Sequence, residues 1–111
     1  MKRLLPLLAI ATASFPNTAL EAAAPGFTSY GVITDYYSDA NQTGLTIPGL
    51  TNPMACSNPN NYVILSTATN YSAVTAAALT AYASGSRLML YVAGCDSSGS
   101  SIVSAVSLHR P

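Results

Sequence analysis

Few residues of this chain could take part in catalysis, and their spacing matches no known catalytic motif. His109 is the single histidine and stands two residues before the last residue of the sequence, where chains commonly fray. A serine triad would need that histidine to be oriented by a carboxylate, and nothing in the spacing places it beside Asp35 or Asp96. No nucleophile elbow, HExxH or phosphate-loop motif occurs. We therefore predict no catalytic residue and no enzymatic activity.

The possible metal ligands are also too few and too widely spaced to form a site. Cys56, Cys95, Asp96 and His109 are the candidates, whereas protein metal sites usually bring their ligands in closely spaced pairs. We predict no metal site and no cofactor.

The two cysteines are instead expected to form a disulfide. An even number of cysteines in an exported chain indicates disulfide pairing, and Cys56 and Cys95 are the only two. Closing a loop of about 40 residues would stabilise the fold by about 4 kcal/mol on the chain-entropy model. A domain this short needs such a covalent link or oligomerisation, because its hydrophobic core is small.

Export is predicted from the first 24 residues, which have the layout of a cleavable signal peptide. Lys2 and Arg3 precede an uncharged apolar run from residue 4 to residue 15, and an alanine-rich stretch follows. The run meets Pro16 before it reaches the length of about 20 residues that a transmembrane helix requires. Cleavage after residue 22, 23 or 24 fits the small-residue rule. We predict a periplasmic or secreted domain over residues 25–111, with no membrane span.

Without the signal, the domain carries few charges and no lysine. Its charged residues are two arginines and three aspartates: Arg87, Arg110, Asp35, Asp39 and Asp96. Proteins that bind nucleic acids need clustered Lys and Arg to displace phosphate counterions. The composition therefore excludes DNA and RNA as partners.

The predicted elements are three strands, one helix and two further strands. β-Branched and aromatic residues favour strands, whereas the alanine-rich segment between Asn70, a good N-cap, and Gly85, a good helix-ending residue, favours a helix. This order matches the five-stranded OB-fold barrel, here with a disulfide; a small α+β sandwich is the alternative. The predicted ranges are Tyr30–Tyr37, Leu45–Ile47, Tyr62–Thr67, the helix Tyr71–Ser84, Arg87–Ala93 and Ile102–Leu108.

One face of the predicted helix is unusual because it carries small residues and no charge. A helix face in contact with water normally carries charged side chains, and this helix has none. The face either meets a second copy of the chain or another partner, or is a weakly polar helix facing water. The predicted interface residues are Ser72, Ala73, Ala76, Thr80 and Ala83.

Tyrosines are abundant in the chain, beside many Ser, Thr and Asn residues. There are seven tyrosines, and each offers an apolar ring together with a phenolic hydrogen-bonding group, which suits sugars as well as protein partners. Most of them are expected to fill strand faces. As a set they indicate a neutral, polar-aromatic binding surface.

Four short segments between residues 29 and 91 carry a family resemblance: Ser-Tyr-Gly-Val-Ile-Thr at 29–34, Ala-Cys-Ser at 55–57, Ala-Leu at 78–79 before Gly85, and Leu-Tyr at 90–91. In these segments the chain resembles the B subunits of subtilase cytotoxin and typhoid toxin. Between Cys56 and Cys95 it is also similar to a group of small bacterial exported proteins with an alanine-rich helix ending in Ser-Gly. The resemblance to the toxins implies an OB-fold, a ring of five subunits, a separate catalytic subunit, and sialylated glycans of host cells as ligands.

The same resemblance implies a set of ligand-binding residues. Ser29 stands where the toxin subunits have a serine that contacts the glycan, and Tyr30 and Tyr91 complete the expected site. A second tyrosine that contributes in the toxins is Val92 here. The sequence thus predicts an exported, self-associating module that binds a glycan or a cell-surface receptor. The alternative is a protein-interaction module that is not a lectin, such as an inhibitor or a periplasmic accessory subunit.

Overall fold

The chain forms strands where β-branched and aromatic residues concentrate, and one helix where alanine dominates. The computed structural model describes residues 23–110. The predicted export signal therefore lies outside the described residues, apart from Ala23 and Ala24. The elements are β1 (Gly26–Phe27), β2 (Asp35–Ser38), β3 (Gln42–Thr46), β4 (Asn61–Leu65), α1 (Tyr71–Ser84), β5 (Arg87–Cys95) and β6 (Ser101–His109).

The strands form one open sheet in the order β1-β5-β6-β4-β3-β2. Neighbouring strands are antiparallel, except that β4 and β6 run parallel. The prediction of a mainly β domain with one helix is confirmed, but the prediction of a closed five-stranded barrel is wrong. The sheet has six strands, and its two edge strands, β1 and β2, do not pair with each other.

The barrel prediction fails at the first predicted strand, Tyr30–Tyr37, which is not continuous. The backbone N–H of Thr28 donates to Leu90 O on β5 at 2.8 Å, and Gly31 forms an isolated bridge with Leu88. Six residues after Thr28, the N–H of Thr34 donates to Thr46 O on β3 at 2.9 Å. Because residues 28–34 must cross from one edge of the sheet to the other, they cannot form a regular strand.

The helix packs on one face of the sheet through its smallest side chains. Val74, Ala78 and Ala81 are its buried residues, and alanines allow the helix backbone to approach the strands closely. Tyr71, at the start of the helix, is half-buried against the core. Tyr82 stays 43% exposed and stacks on Tyr36 with ring centroids 5.8 Å apart. The other buried residues of this core lie on the strands or in the segments that flank them: Ile33, Leu45, Ile47, Tyr62, Ile64, Leu88, Leu90, Val92 and Val103.

The two ends of α1 agree with the sequence to different degrees. Gly85 adopts the left-handed conformation with φ of 70° and ends the helix as predicted. Asn70 precedes the helix, but the prediction that its side chain caps the first turn is wrong. Its Nδ2 instead donates to Ser104 O on β6 at 2.9 Å. The amide therefore fixes the start of the helix to the sheet.

The predicted disulfide between Cys56 and Cys95 is present. Its Cα atoms are 5.6 Å apart, and it joins the loop before β4 to the last residue of β5. Such a bond is compatible with an exported protein. Within residues 23–110, α1 is not long and apolar enough to cross a membrane.

One buried hydroxyl in the core yields a stability prediction. Tyr62 is fully buried, and its hydroxyl has no hydrogen-bond partner among the described residues. Burial raises its pKa above 10.0, an effect that the nearby Asn52 partly opposes; Asn52 Nδ2 itself donates to Ser101 Oγ. We expect Tyr62→Phe to leave the free energy of unfolding unchanged or to raise it by up to about 1 kcal/mol, because an unpaired buried hydroxyl is costly. Urea denaturation measures this.

Tyr71→Phe is the matched control for that substitution. The hydroxyl of Tyr71 lies 2.9 Å from Thr43 Oγ1, so its removal breaks a formed hydrogen bond. We expect this variant to lose about 1 kcal/mol. An equal loss in both variants would show that the Tyr62 hydroxyl is well bonded and would contradict the prediction.

Candidate functional site

In the structure, each of the three predicted ligand-binding residues contacts a different neighbour. Ser29 is exposed, and its hydroxyl accepts the backbone N–H of Thr51 at 2.9 Å. The ring of Tyr30 meets His109 edge-on with centroids 5.2 Å apart, and Tyr91 meets Phe27 in the same way at 5.2 Å. None of the three lines the groove described next, so their role in binding stays a prediction.

A groove of about 310 Å³ lies on the face of the sheet opposite α1. Its floor is formed by Gly44 of β3 and Val63 of β4, which pair directly across the two strands. Side chains alternate between the faces of a strand, so the neighbouring residues Leu45 and Tyr62 point into the core. The side chains around this floor belong to Tyr37, Gln42, Thr46, Asn58, Asn61, Ser98 and Ser100.

Tyr37 is the aromatic residue of the groove and is held in a defined place. It is 51% exposed and pairs with Gly44 across β2 and β3. A Cβ atom on Gly44 would lie only 1.9 Å from its Cε1, so the ring occupies the space above the glycine. Gln42 Nε2 donates to the Tyr37 hydroxyl at 2.7 Å. The ring is therefore positioned by the space above Gly44 and by the hydrogen bond at its hydroxyl, while about half of the Tyr37 surface stays exposed to solvent.

One wall of the groove is formed by two loops that are joined to each other, the loop before β4 and the loop between β5 and β6. The backbone N–H of Asn58 donates to Gly99 O at 3.0 Å, and Asn58 Nδ2 donates to Ser98 O. Asn58 follows Cys56 by two residues and Ser98 follows Cys95 by three, so the disulfide ties the same two loops. This wall is ordered before any ligand arrives, which lowers the entropic cost of binding.

Asp96 organises the loop between β5 and β6. Its Oδ1 accepts the Ser98 N–H at 2.9 Å, the Ser98 hydroxyl at 2.8 Å and the Ser100 N–H at 2.9 Å. Partial burial by itself would raise the pKa of this carboxyl, but the hydrogen bonds from Ser98, Ser100 and Gly99 outweigh it and lower the pKa below 3.8. The carboxylate therefore stays ionised at neutral pH and holds the loop through its hydrogen bonds to Ser98 and Ser100.

The groove offers hydrogen bonds and an aromatic ring, and none of the side chains around it carries a formal charge at neutral pH. Amide and hydroxyl groups supply both donors and acceptors. Within the described part of the chain, no group of three or more His, Cys, Asp or Glu side chains is arranged to hold a metal ion. The arrangement is suited to holding a polar ligand by hydrogen bonds and ring contact.

Gly44 is the residue of this groove that the sequence could have indicated. The predicted second strand begins at Leu45 and leaves Gly44 out, whereas the structure places it inside β3. A glycine inside a strand often marks the close approach of another group, and that group is the ring of Tyr37. The predicted disulfide between Cys56 and Cys95 indicates that the loops after these cysteines meet, but nothing in the sequence indicates that Asn58 and Ser98 bond to each other.

The five predicted interface residues of α1 are all exposed: Ser72, Ala73, Ala76, Thr80 and Ala83. Thr80 and Ser84 bond back to the carbonyls of Ala76 and Thr80 at 2.9 and 2.8 Å. Their hydroxyls are thus satisfied within the helix, and the face presents little polarity. Self-association through this face stays a prediction.

Native mass spectrometry at tens of micromolar protein tests that prediction. We expect the wild-type protein to form oligomers and Ala76→Arg to be monomeric, because a buried guanidinium without a partner opposes association. Ala40→Arg places the same charge on an exposed turn and should leave the oligomer intact. A monomeric wild-type protein would remove the helix face as an interface.

Compared with protein-family models, curated proteins and solved structures, the chain matches none of them.

Proposed function

We propose that the protein is a binding module whose groove above Gly44 holds a polyhydroxylated ligand without negative charge, such as a sugar residue of a glycan. The observation that carries this proposal is the half-exposed ring of Tyr37, fixed above Gly44 and facing a wall of amides and hydroxyls. An aromatic ring suits the apolar face of a sugar, and amides and hydroxyls suit its hydroxyl groups. The volume of about 310 Å³ is at the lower end for ligand sites, so a short part of a glycan would fill it.

The strand arrangement gives this proposal a second support. We infer that β1 and β2 are the two halves of one bent first strand, joined by residues 28–34 that bond to β5 at one end and to β3 at the other. Joined in this way, the strands follow the order of an OB-fold, with β3 and β4 as its second and third strands. OB-folds bind oligosaccharides and oligonucleotides on that face, between the first and the last hairpin loops. The Tyr37 groove occupies the same position.

Export and self-association complete the proposal. The disulfide agrees with an oxidising compartment, and the uncharged exposed face of α1 is available for a second copy of the chain. A ring of five subunits with a separate catalytic subunit follows only from the resemblance to the toxin B subunits. The alternative, a protein-interaction module that is not a lectin, would use the same groove for a peptide side chain.

A glycan array with purified protein tests the groove directly. We expect binding to a set of glycans by the wild-type protein and at least a tenfold loss of affinity for Tyr37→Ala. Stacking of a nucleobase on an aromatic side chain is worth about 1–3 kcal/mol, and we expect a similar loss when a sugar loses the Tyr37 ring. Tyr82→Ala removes another exposed tyrosine, on the helix layer, and should bind normally. Tyr37→Phe keeps the ring but loses the bond to Gln42, and should fall between the two.

Two results would reject the proposal. The first is no array signal together with capture of one specific protein partner, which would favour the non-lectin alternative. The second is a signal that Tyr37→Ala leaves unchanged while Ser29→Ala removes it, which would move the site to the residues implied by the toxin resemblance.

A further inference from the structure

All three aspartates of the described chain lie next to residues that line the groove, although none of them lines it. Asp35 pairs with Thr46 and shares the face of Tyr37 by strand alternation. Asp39 accepts the N–H groups of Asn41 and Gln42 at 2.8 and 3.0 Å in the hairpin beside Tyr37. Asp96 holds the loop of Ser98 and Ser100 on the other side. The groove thus lies between three negative charges.

Both arginines of the described chain lie at the opposite end of the sheet. Arg87 is the first residue of β5 and pairs with His109, the last residue of β6, while Arg110 follows directly. The nine-residue strand β5 separates Arg87 from Cys95 by about 27 Å. At physiological ionic strength, charges are screened over about 8 Å, so the arginines do not offset the aspartates at the groove.

We infer that the groove selects sugars with a free ammonium group, the amino sugars, over their N-acetylated and acidic counterparts. The inference rests on the proposed function, because it names the charge of the sugar that the groove would hold. The exposed ring of Tyr37 attracts a cation through its π face, and the three aspartates, each next to a residue that lines the groove, add a favourable field at short range. An acidic sugar such as a sialic acid would place its carboxylate in the same field, which repels it.

Isothermal titration calorimetry with three matched probes tests this selectivity. The probes are a glucosamine trisaccharide, an N-acetylglucosamine trisaccharide and a sialylated trisaccharide, at a pH where the free amine is protonated. We expect the first to bind about two- to fivefold more tightly than the second at physiological ionic strength, and the third to bind most weakly. The preference should shrink in high salt, because the aspartates act through solvent.

Asp35→Asn removes one negative charge near the groove while it keeps the size of the side chain. Asp35 Oδ2 accepts the hydroxyl of Thr34 at 3.1 Å, a bond that an asparagine oxygen can keep. We expect this variant to reduce the preference for the amino sugar while the affinity for the N-acetylated sugar stays the same.

Each outcome decides between the inference and the proposed function. Binding of the N-acetylated probe without preference for the amino sugar overturns the inference alone and leaves the proposed function intact. Tighter binding of the sialylated probe overturns the inference as well. Failure of all three probes to bind, with glycan-array binding also absent, overturns both.

Discussion

Replacing both Cys56 and Cys95 with alanine is expected to lower the free energy of unfolding by about 4 kcal/mol. The disulfide joins residues 39 apart in sequence, and its loss allows the unfolded chain many more conformations. Domains of this size have a net stability of only about 5–13 kcal/mol, so the expected loss is a large fraction of the total. Urea denaturation followed by circular dichroism measures it.

Reduction of the wild-type protein provides the control for these substitutions. Wild-type protein treated with reductant should unfold at the urea concentration of the double variant, and reductant should not change the double variant. A loss below about 1 kcal/mol in both cases would contradict the prediction. It would show that the hydrogen bonds of Asn58 to Ser98 and Gly99 already hold the two loops together.

The local features of the fold follow from the sequence. The helix Tyr71–Ser84 agrees with its predicted range because alanine content and Gly85 act within one segment of the chain. The disulfide follows from a count of two cysteines in a chain predicted to be exported. Strand positions agree to within a few residues, except for the first strand. The helix and the strands depend on neighbours in sequence, whereas the disulfide is predictable because two cysteines allow a single pairing.

The features that the sequence did not give depend on partners far along the chain. The first strand divides because residues 28–34 find bonding partners on β5 and on β3, at opposite edges of the sheet. Asn70 does not cap the helix because Ser104 O, 34 residues later, accepts its amide instead. Local propensities do not account for competition from hydrogen-bond partners that are distant in sequence. The closed barrel was wrong for the same reason, since element order does not determine strand pairing.

The candidate site depends on two such distant contacts. In the sequence, nothing distinguishes Tyr37 from the other six tyrosines. In the structure, the position of its ring over Gly44 does so. The facing wall needs Asn58 and Ser98, 40 residues apart, to meet. The sequence predicted a neutral, polar-aromatic surface as a property of the whole set of tyrosines, and the predicted disulfide brings the two loops of the wall together. Nothing in the sequence places Tyr37 beside that wall.

Gly44→Ala is expected to lower the affinity for an array-selected glycan at least tenfold, although it removes no side chain from the groove. A methyl group at this position would overlap the Tyr37 ring, whose Cε1 lies 1.9 Å from the Cβ site, so the ring must leave its place. The backbone of Gly44 does not have a positive φ, so alanine fits the strand, and the exposed ring can move outward. We therefore expect the free energy of unfolding to change by less than about 1 kcal/mol.

Gly94→Ala is the matched control, because a Cβ atom at that position in β5 has nothing within 4 Å. This variant should bind like the wild-type protein. A readout without ligand is the side-chain amide signal of Gln42 in NMR spectra, which should shift in Gly44→Ala as its bond to the Tyr37 hydroxyl breaks. A shifted Gln42 signal with unchanged glycan affinity would show that the ring moves but does not contribute to binding. An unchanged signal would show that the ring never rested on Gly44.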